Sequence, residues 1–393
     1  MKINKWLFVL LISLTASLVI FLFRANYKIA LENPLSIFQI DNKKKIQDSK
    51  IVLGFLPYWN INKATVNPVI TDIAYFALSV DGDGSIIRKE KNYTEPGYSK
   101  FQSDKLSNIL DYKNISPHLV LTMFDNEKIE TLLSDKENQN ELLGEIDALL
   151  KGNSLTGINI DIEYTGLASK QLRSQFVNLV QDISVMIKRS HPTVTLSISM
   201  YASASKKQMI WDVSEIAKYV DYIVVMAYDF HLPSSYKAGP IAPIFGFDTN
   251  NEIDINSCLT AFTKQIDNSK IILGIPFYGY GWQTVEQSPQ AHTIPNTGST
   301  QTIKSVEKIL INSDDADFPF IQPKWDEESL SPYLAYSKDE KNYVIFYENE
   351  ESIAYKLDYV DQLELAGIAI WALGYENPNT DIWKLIDDRF FDS

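Results

Sequence analysis

Asn159, Asp161 and Glu163 occupy alternate positions in the stretch 155–164, LTGINIDIEY, and Ile158, Ile160 and Ile162 fill the places between them. Strict alternation predicts a β-strand, whose successive side chains point to opposite faces. One face of this strand is all isoleucine. The other is an amide followed by two acids. At about 3.3 Å per residue, the Cβ atoms of Asp161 and Glu163 stand about 6–7 Å apart, close enough for the carboxyls to turn together and share a proton. Burial and a nearby like charge both raise a carboxyl pKa. A glutamic acid that keeps its proton near neutral pH is a general acid, so the chemistry offered is proton donation to a leaving group. A hydrogen-bonded structural row is the other reading of the same residues.

A half-buried surface strand would put the polar face in water, and two acids two residues apart also repel each other. A closed parallel barrel explains both faces. Its outer strand face lies under helices and must be apolar, while its inner face carries functional groups toward the C-terminal mouth. Glu163, last in the row, would lie nearest the mouth. Apolar runs suited to buried parallel strands recur at 51–59, 72–80, 118–125, 156–164, 194–202, 221–230, 270–282 and 366–375. Stretches of helical period, such as 141–152 and 174–191, separate several of them, with Gly152 and Pro192 at expected helix stops. Eight such runs predict an α/β chain folded as a (β/α)8 TIM barrel. An open doubly wound sheet is the alternative, but no GxGxxG follows the first run. Between the last two runs, residues 323–349 read as short strands around the charged turn SKDEKN. They predict a small α+β insertion at about 283–350, between strands seven and eight.

The N-terminal end differs in texture. Residues 6–23 contain no charge, with Lys2 and Lys5 before them and Arg24 after. An 18-residue helix rises about 27 Å, close to the thickness of a hydrocarbon core. The segment predicts a transmembrane signal anchor over 1–24, a solvated stem over 25–49 that includes the lysines at 43–45, and a catalytic barrel over 50–393. The barrel would then be membrane-anchored and extracytoplasmic; secretion after signal cleavage is the alternative.

Composition narrows the partners. Across 393 residues the formal net charge is −14, which argues against nucleic acid as a partner. Cys258 is the sole cysteine and the four histidines show no HExxH spacing, so neither a disulfide framework nor a histidine-rich metal site is expected. The 12% aromatic content suits both a packed core and stacking on sugar rings.

Residues 156–163 resemble the DxxDxDxE signature of the family 18 glycoside hydrolases, chitinases and related N-acetylglucosaminidases built on a (β/α)8 barrel. Glu163 stands at the catalytic acid, Asp161 and Asn159 at the two aspartates before it. MAYD (226–229) resembles the family's M-x-Y-D motif, and LGIPFYGYGW (273–282) its G-x-P-x-Y-G element. The loop KAGPIAP (237–243), the late IAIWALG with Trp371 and the insertion also match. The resemblance spans roughly residues 50–390.

It implies substrate-assisted hydrolysis of a glycan containing N-acetylglucosamine, with no metal or cofactor. The sugar's own 2-acetamido oxygen attacks the anomeric carbon, the exception among glycosidases that use two carboxylates. In that scheme Glu163 protonates the leaving oxygen and Asp161 holds the acetamido N–H. Tyr228 orients the acetamido carbonyl, and Asp229 contacts the sugar or tunes the acid. Trp371 floors the subsite, while Met226 packs its wall. Tyr58, Trp59, Tyr278, Tyr280 and Trp282 are candidates to line the groove. Phe76 and His231 are expected to be structural.

Two positions depart from the signature. Thr156 replaces its first aspartate, and Asn159 replaces the middle one with a group that cannot take a proton from Asp161. Spore-germination and cortex-lytic members, which act on peptidoglycan, resemble this sequence there. The rival is a lectin-like sugar-binding protein on the same barrel, but such members usually lack the acidic Glu.

Overall fold

The computed structural model describes residues 50–246, 253–312, 321–376 and 380–391. The expected anchor over 1–24 and the stem through 49 lie outside them. Among the described residues no helix is long and apolar enough to cross a membrane.

Eight strands close a barrel: Ile51–Pro57, Asp72–Ser79, Ser116–Met123, Gly157–Ile162, Thr195–Tyr201, Tyr222–Met226, Ile271–Pro276 and Gly367–Trp371. They follow one another around the ring in chain order, each parallel to its neighbours, and the eighth closes on the first. Each lies within or within two residues of one of the apolar runs, because a strand covered on both faces needs apolar side chains on both. An apolar interior cluster comes from the first three and last three strands: Leu53, Phe55, Ala74, Ala77, Val120, Val224, Ile272 and Ala369.

Helices cover the outside where the sequence has the right period. Lys136–Gly152 starts at Asp135, whose carboxylate accepts the Glu137 N–H. Lys170–Ser190 starts at Ser169, which caps Leu172 N, and buries Leu172, Phe176, Leu179, Val180, Ile183 and Ile187. That spacing of three and four is one helical stripe. The repeat is not uniform. Only a 3-10 turn, Tyr58–Asn60, stands between the first and second strands, so the first unit lacks its α-helix.

The seventh apolar run is two strands rather than one. It leaves the barrel at Pro276, where the Phe277 N–H donates to the Trp371 carbonyl at 2.7 Å, and resumes as Tyr278–Thr284 in a separate five-stranded sheet. That sheet is antiparallel and runs, in spatial order, Ser299–Thr302, Tyr278–Thr284, Lys341–Phe346, Ser331–Lys338 and Lys324–Asp326. With the helix Ile303–Asn312 it forms the insertion, which begins at Tyr278 and not at 283. Continuous hydrophobicity hides the break, since both segments are buried.

The chain returns to the eighth strand through the helix Glu350–Gln362, pinned by a fully buried ion pair. Lys356 Nζ lies 2.7 Å from Glu348 Oε2, both side chains at 0% exposure, and Ser352 Oγ donates to the same oxygen. Removing one partner strands the other charge in the interior, which costs far more than losing the pair as a unit. Lys356→Met should therefore destabilise the fold by about 3–5 kcal/mol in chemical denaturation. Combining it with Glu348→Leu should recover most of that loss; a double variant no more stable than the single one would contradict this account.

Candidate active site

The fourth strand presents its polar face as expected. Asn159 sits in register with Val120 and Ser197, and Asp161 with Thr122. Val120 belongs to the interior cluster, so its register neighbours face the interior too. The buried isoleucines between them turn to the helical layer.

Asn159 is 0% exposed. Its amide nitrogen donates to Ser197 Oγ and its carbonyl oxygen accepts from Ser199 Oγ, each at 3.0 Å. Both ends of the amide are engaged by the fifth strand. Expected among the substrate contacts, Asn159 does not line the cavity; it lies one step below Asp161 on the strand. Asp161 stands above it, 4% exposed, with Oδ1 lacking any hydrogen-bond partner. Glu163 follows the end of the strand, and its N–H continues the ladder to Met123 O at 2.9 Å. Its carboxylate accepts a hydrogen bond from the Tyr201 hydroxyl.

The sixth strand ends at Met226 and delivers Tyr228 and Asp229 to the same mouth. Asp229 has φ +62°, the left-handed region that aspartate enters more readily than most residues. Its Oδ1 accepts from the hydroxyls of Tyr278 at 2.7 Å and Tyr280 at 2.9 Å, both from the first strand of the insertion.

Together these groups line a cavity of about 370 Å³. Asp161, Glu163, Met226, Tyr228, Asp229, Tyr278 and Trp371 all reach it. Trp371 meets Phe76 edge-on at 4.6 Å and packs on Phe55 at 5.8 Å, which fixes the indole as a flat apolar floor. Phe76, expected in the core, is part of that wall. Tyr58 is not: it packs edge-on against Trp59 at 4.8 Å, and Trp59 reaches the cavity instead. The turn after the first strand swaps which of the two adjacent rings faces inward. Trp282 is buried, its indole N–H directed at the carbonyls of Leu232 and Pro233. His231 donates through Nδ1 to the Pro240 carbonyl at 2.8 Å and covers Gly239, which ties down a loop.

Sequence reasoning missed Ser199, Tyr201 and Phe124, which also line the cavity. Tyr201 had a usable signal. It closes the fifth apolar run just as Glu163 closes the fourth, at the strand end where barrels place their functional groups.

Burial sets the electrostatics. It raises Asp161 well above the usual carboxylate range, and the charge of Glu163 pushes the same way. Burial also raises Glu163; the Tyr201 hydrogen bond opposes this and the Asp229 charge adds to it. Asp229 is raised by burial against the two tyrosine hydrogen bonds. The Tyr228 phenol is pushed up by burial and by all three acids, so it stays a donor. Among the described residues no cluster of three or more His, Cys, Asp or Glu could hold a metal ion.

The family model described as "Glycosyl hydrolases family 18" matches residues 51–376. The chain belongs to this family. It is a glycosidase. The chain is 30% identical over 270 residues to an uncharacterised glycosylase, YvbX, of Bacillus subtilis (strain 168), a match covering 67% of this chain and 70% of that one. It is 21% identical over 335 residues to the cortical fragment-lytic enzyme of the same organism, covering 82% and 69%. Among solved structures, a family 18 chitinase from Cycas revoluta in complex with (GlcNAc)3 superposes with a TM-score of 0.73 at 19% identity, over 86% of this chain and 99% of that one. The Bacillus cereus spore cortex-lytic enzyme SleL superposes with a TM-score of 0.67 at 19% identity, over 88% and 75%. These likenesses establish the shared family 18 barrel.

Two measurements test the electrostatics directly. Tyr201→Phe removes a donor to the Glu163 carboxylate, so Glu163 should hold its proton to higher pH. Difference infrared titration against Glu163→Gln reads this, and an unmoved or lowered midpoint would count against the assigned hydrogen bond. Asp161 is raised in the folded state, so the stability it contributes is present below the ordinary carboxylate value and lost as pH rises through the folded one. Asp161→Asn cannot ionise, so its Tm should fall less than the unaltered protein's between pH 4 and 8 (about the span of carboxyl titration). Parallel Tm curves would sink this reading.

Proposed function

We propose that the protein hydrolyses a β-1,4 bond following an N-acetylglucosamine unit, with retention of configuration through an oxazolinium intermediate. The observation that carries this reading is Asp161 Oδ1, buried and unpartnered on the cavity wall beside Glu163. A buried acceptor without a donor costs free energy until a ligand supplies one. An acetamido N–H is such a donor, and a carboxylate that accepts it also stabilises the positive charge of the oxazolinium ion.

The remaining roles follow from position. Glu163, raised by burial, donates to the leaving oxygen and then takes a proton from water. Tyr228, a retained donor, holds the acetamido oxygen for attack on the anomeric carbon. The Trp371 floor takes the apolar face of the sugar ring. Asp229 keeps a like charge beside Glu163, and Met226 fills the wall.

Peptidoglycan is the favoured glycan over chitin-type oligomers. Asn159 stands where the chitinase signature has an aspartate, and one relative is named a cortical fragment-lytic enzyme. The uncharged run at 6–23 supports a membrane-tethered enzyme working outside the cytoplasm on the adjacent wall.

The test is turnover by the purified protein of N-acetylglucosamine oligomers and of purified peptidoglycan. Glu163→Gln should lower kcat by roughly 10²–10⁴-fold, the usual worth of a positioned general acid. De-N-acetylated glycans should remain uncut. Undiminished turnover by the variant would refute Glu163 as the acid, and cleavage of the free-amine substrate would refute substrate assistance.

A further inference from the structure

Tyr280 belongs to neither the Asn159–Glu163 row nor the MAYD turn, and it does not line the cavity. It sits on the insertion strand Tyr278–Thr284, 7% exposed, yet its hydroxyl reaches Asp229 Oδ1 at 2.9 Å. Its position is tightly determined. Tyr280 stands in register with Phe346 and Thr300 on the two flanking strands, and its ring meets Trp282 edge-on at 6.1 Å. The backbone beside it is packed so closely that a Cβ on Gly279 would lie 1.9 Å from the Phe346 carbonyl oxygen. The insertion thus sends one hydroxyl into the electrostatics of the barrel mouth from outside the cavity.

Asp229 needs such donors. The groups facing it are Asp161 and Glu163 from the fourth strand and Tyr201 from the fifth. Tyr228 lies on its own segment, Tyr278 and Tyr280 come from the insertion, and Tyr375 packs behind Tyr278 at 6.1 Å. No lysine or arginine is among them. Burial raises Asp229 and the two phenol hydrogen bonds to Oδ1 oppose that rise, so its ionised form depends on them. Both phenols are pushed up by burial and by Asp229, so they remain donors.

We propose that Tyr280 is a positioning residue for the hydrolysis: braced by the insertion sheet, it keeps Asp229 as the carboxylate and so leaves the proton on Glu163. The inference rests on Glu163 acting as the acid. A charge on one buried carboxyl holds the proton on its neighbour, and the charge of Asp229 raises Glu163 in this way. Losing a donor to Asp229 moves the proton toward Asp229 and away from Glu163. This is opposite in sign to the loss of Tyr201, which donates to Glu163 itself.

Tyr280→Phe keeps the ring and deletes only the hydroxyl. The alkaline loss of kcat should begin at lower pH than in the unaltered protein, with KM for an N-acetylglucosamine oligomer nearly unchanged. Infrared titration should show Glu163 losing its proton at lower pH, a readout that needs no turnover. Asp229→Asn should displace the Glu163 titration in the same direction, and Tyr280→Phe added to it should produce no further shift, because the two act through one interaction. A Glu163 titration that stays put or moves to higher pH in Tyr280→Phe would overturn the proposal. So would a shift that persists undiminished in the Asp229→Asn background. Full activity of Glu163→Gln in the same assay would mark the failure of the acid assignment instead, while the infrared comparison still decides whether Tyr280 places the proton.

Discussion

Three carboxyl groups, Asp161, Glu163 and Asp229, share one buried barrel mouth, and among the described residues no cation lines it with them. Most of the site's other features answer that constraint. Like charges in a region shielded from water cannot all ionise cheaply, and burial raises all three carboxyls. Each carboxyl is then differentiated by its donors. Glu163 has one phenol, Asp229 has two, and Asp161 Oδ1 has none. The asymmetry gives chemically similar groups different electrostatic surroundings.

The barrel makes this arrangement tolerable by separating its interior into sectors. The first three and last three strands contribute an apolar interior cluster. The fourth and fifth carry a polar column, in which Ser197 and Ser199 satisfy both ends of Asn159. An amide bonded at both its nitrogen and its oxygen costs less to bury beneath Asp161 than an unpartnered one. Neither of these bonds goes to Asp161, whose Oδ1 has no hydrogen-bond partner. The aspartate-to-asparagine departure from the family signature thus removes one more negative charge from an already crowded column.

The insertion is more than an ornament on the rim. Its first strand begins directly after the seventh barrel strand and carries Tyr278 and Tyr280 to Asp229. Rigid sheet pairing places phenols more reliably than a loop would, and the tight approach at Gly279 removes slack. The buried Lys356–Glu348 pair on the return path holds the helix that leads into the eighth strand and its Trp371 floor.

The sequence by itself determined the barrel, the order of its strands and the acidic row, because each rests on local patterning. Alternation in LTGINIDIEY, apolar runs of strand length and helical stretches between them are properties of neighbouring residues, and a closed ring of eight follows from their number. Family motifs at Glu163, Asp161 and Tyr228–Asp229 are likewise local, so their meeting in one cavity could be expected from strand-end positions. Only the tertiary structure decided what depends on distance across the ring or on a turn. It placed Asn159 under the site rather than in it, chose Trp59 over Tyr58 and drew Phe76 into the wall. It cut one apolar run into a barrel strand and an insertion strand. The partners of the carboxyls were hidden for the same reason. Tyr201 lies 38 residues from Glu163 and Tyr280 lies 51 from Asp229, and no period in the sequence relates side chains that only the closure of the barrel and the seating of the side sheet bring together.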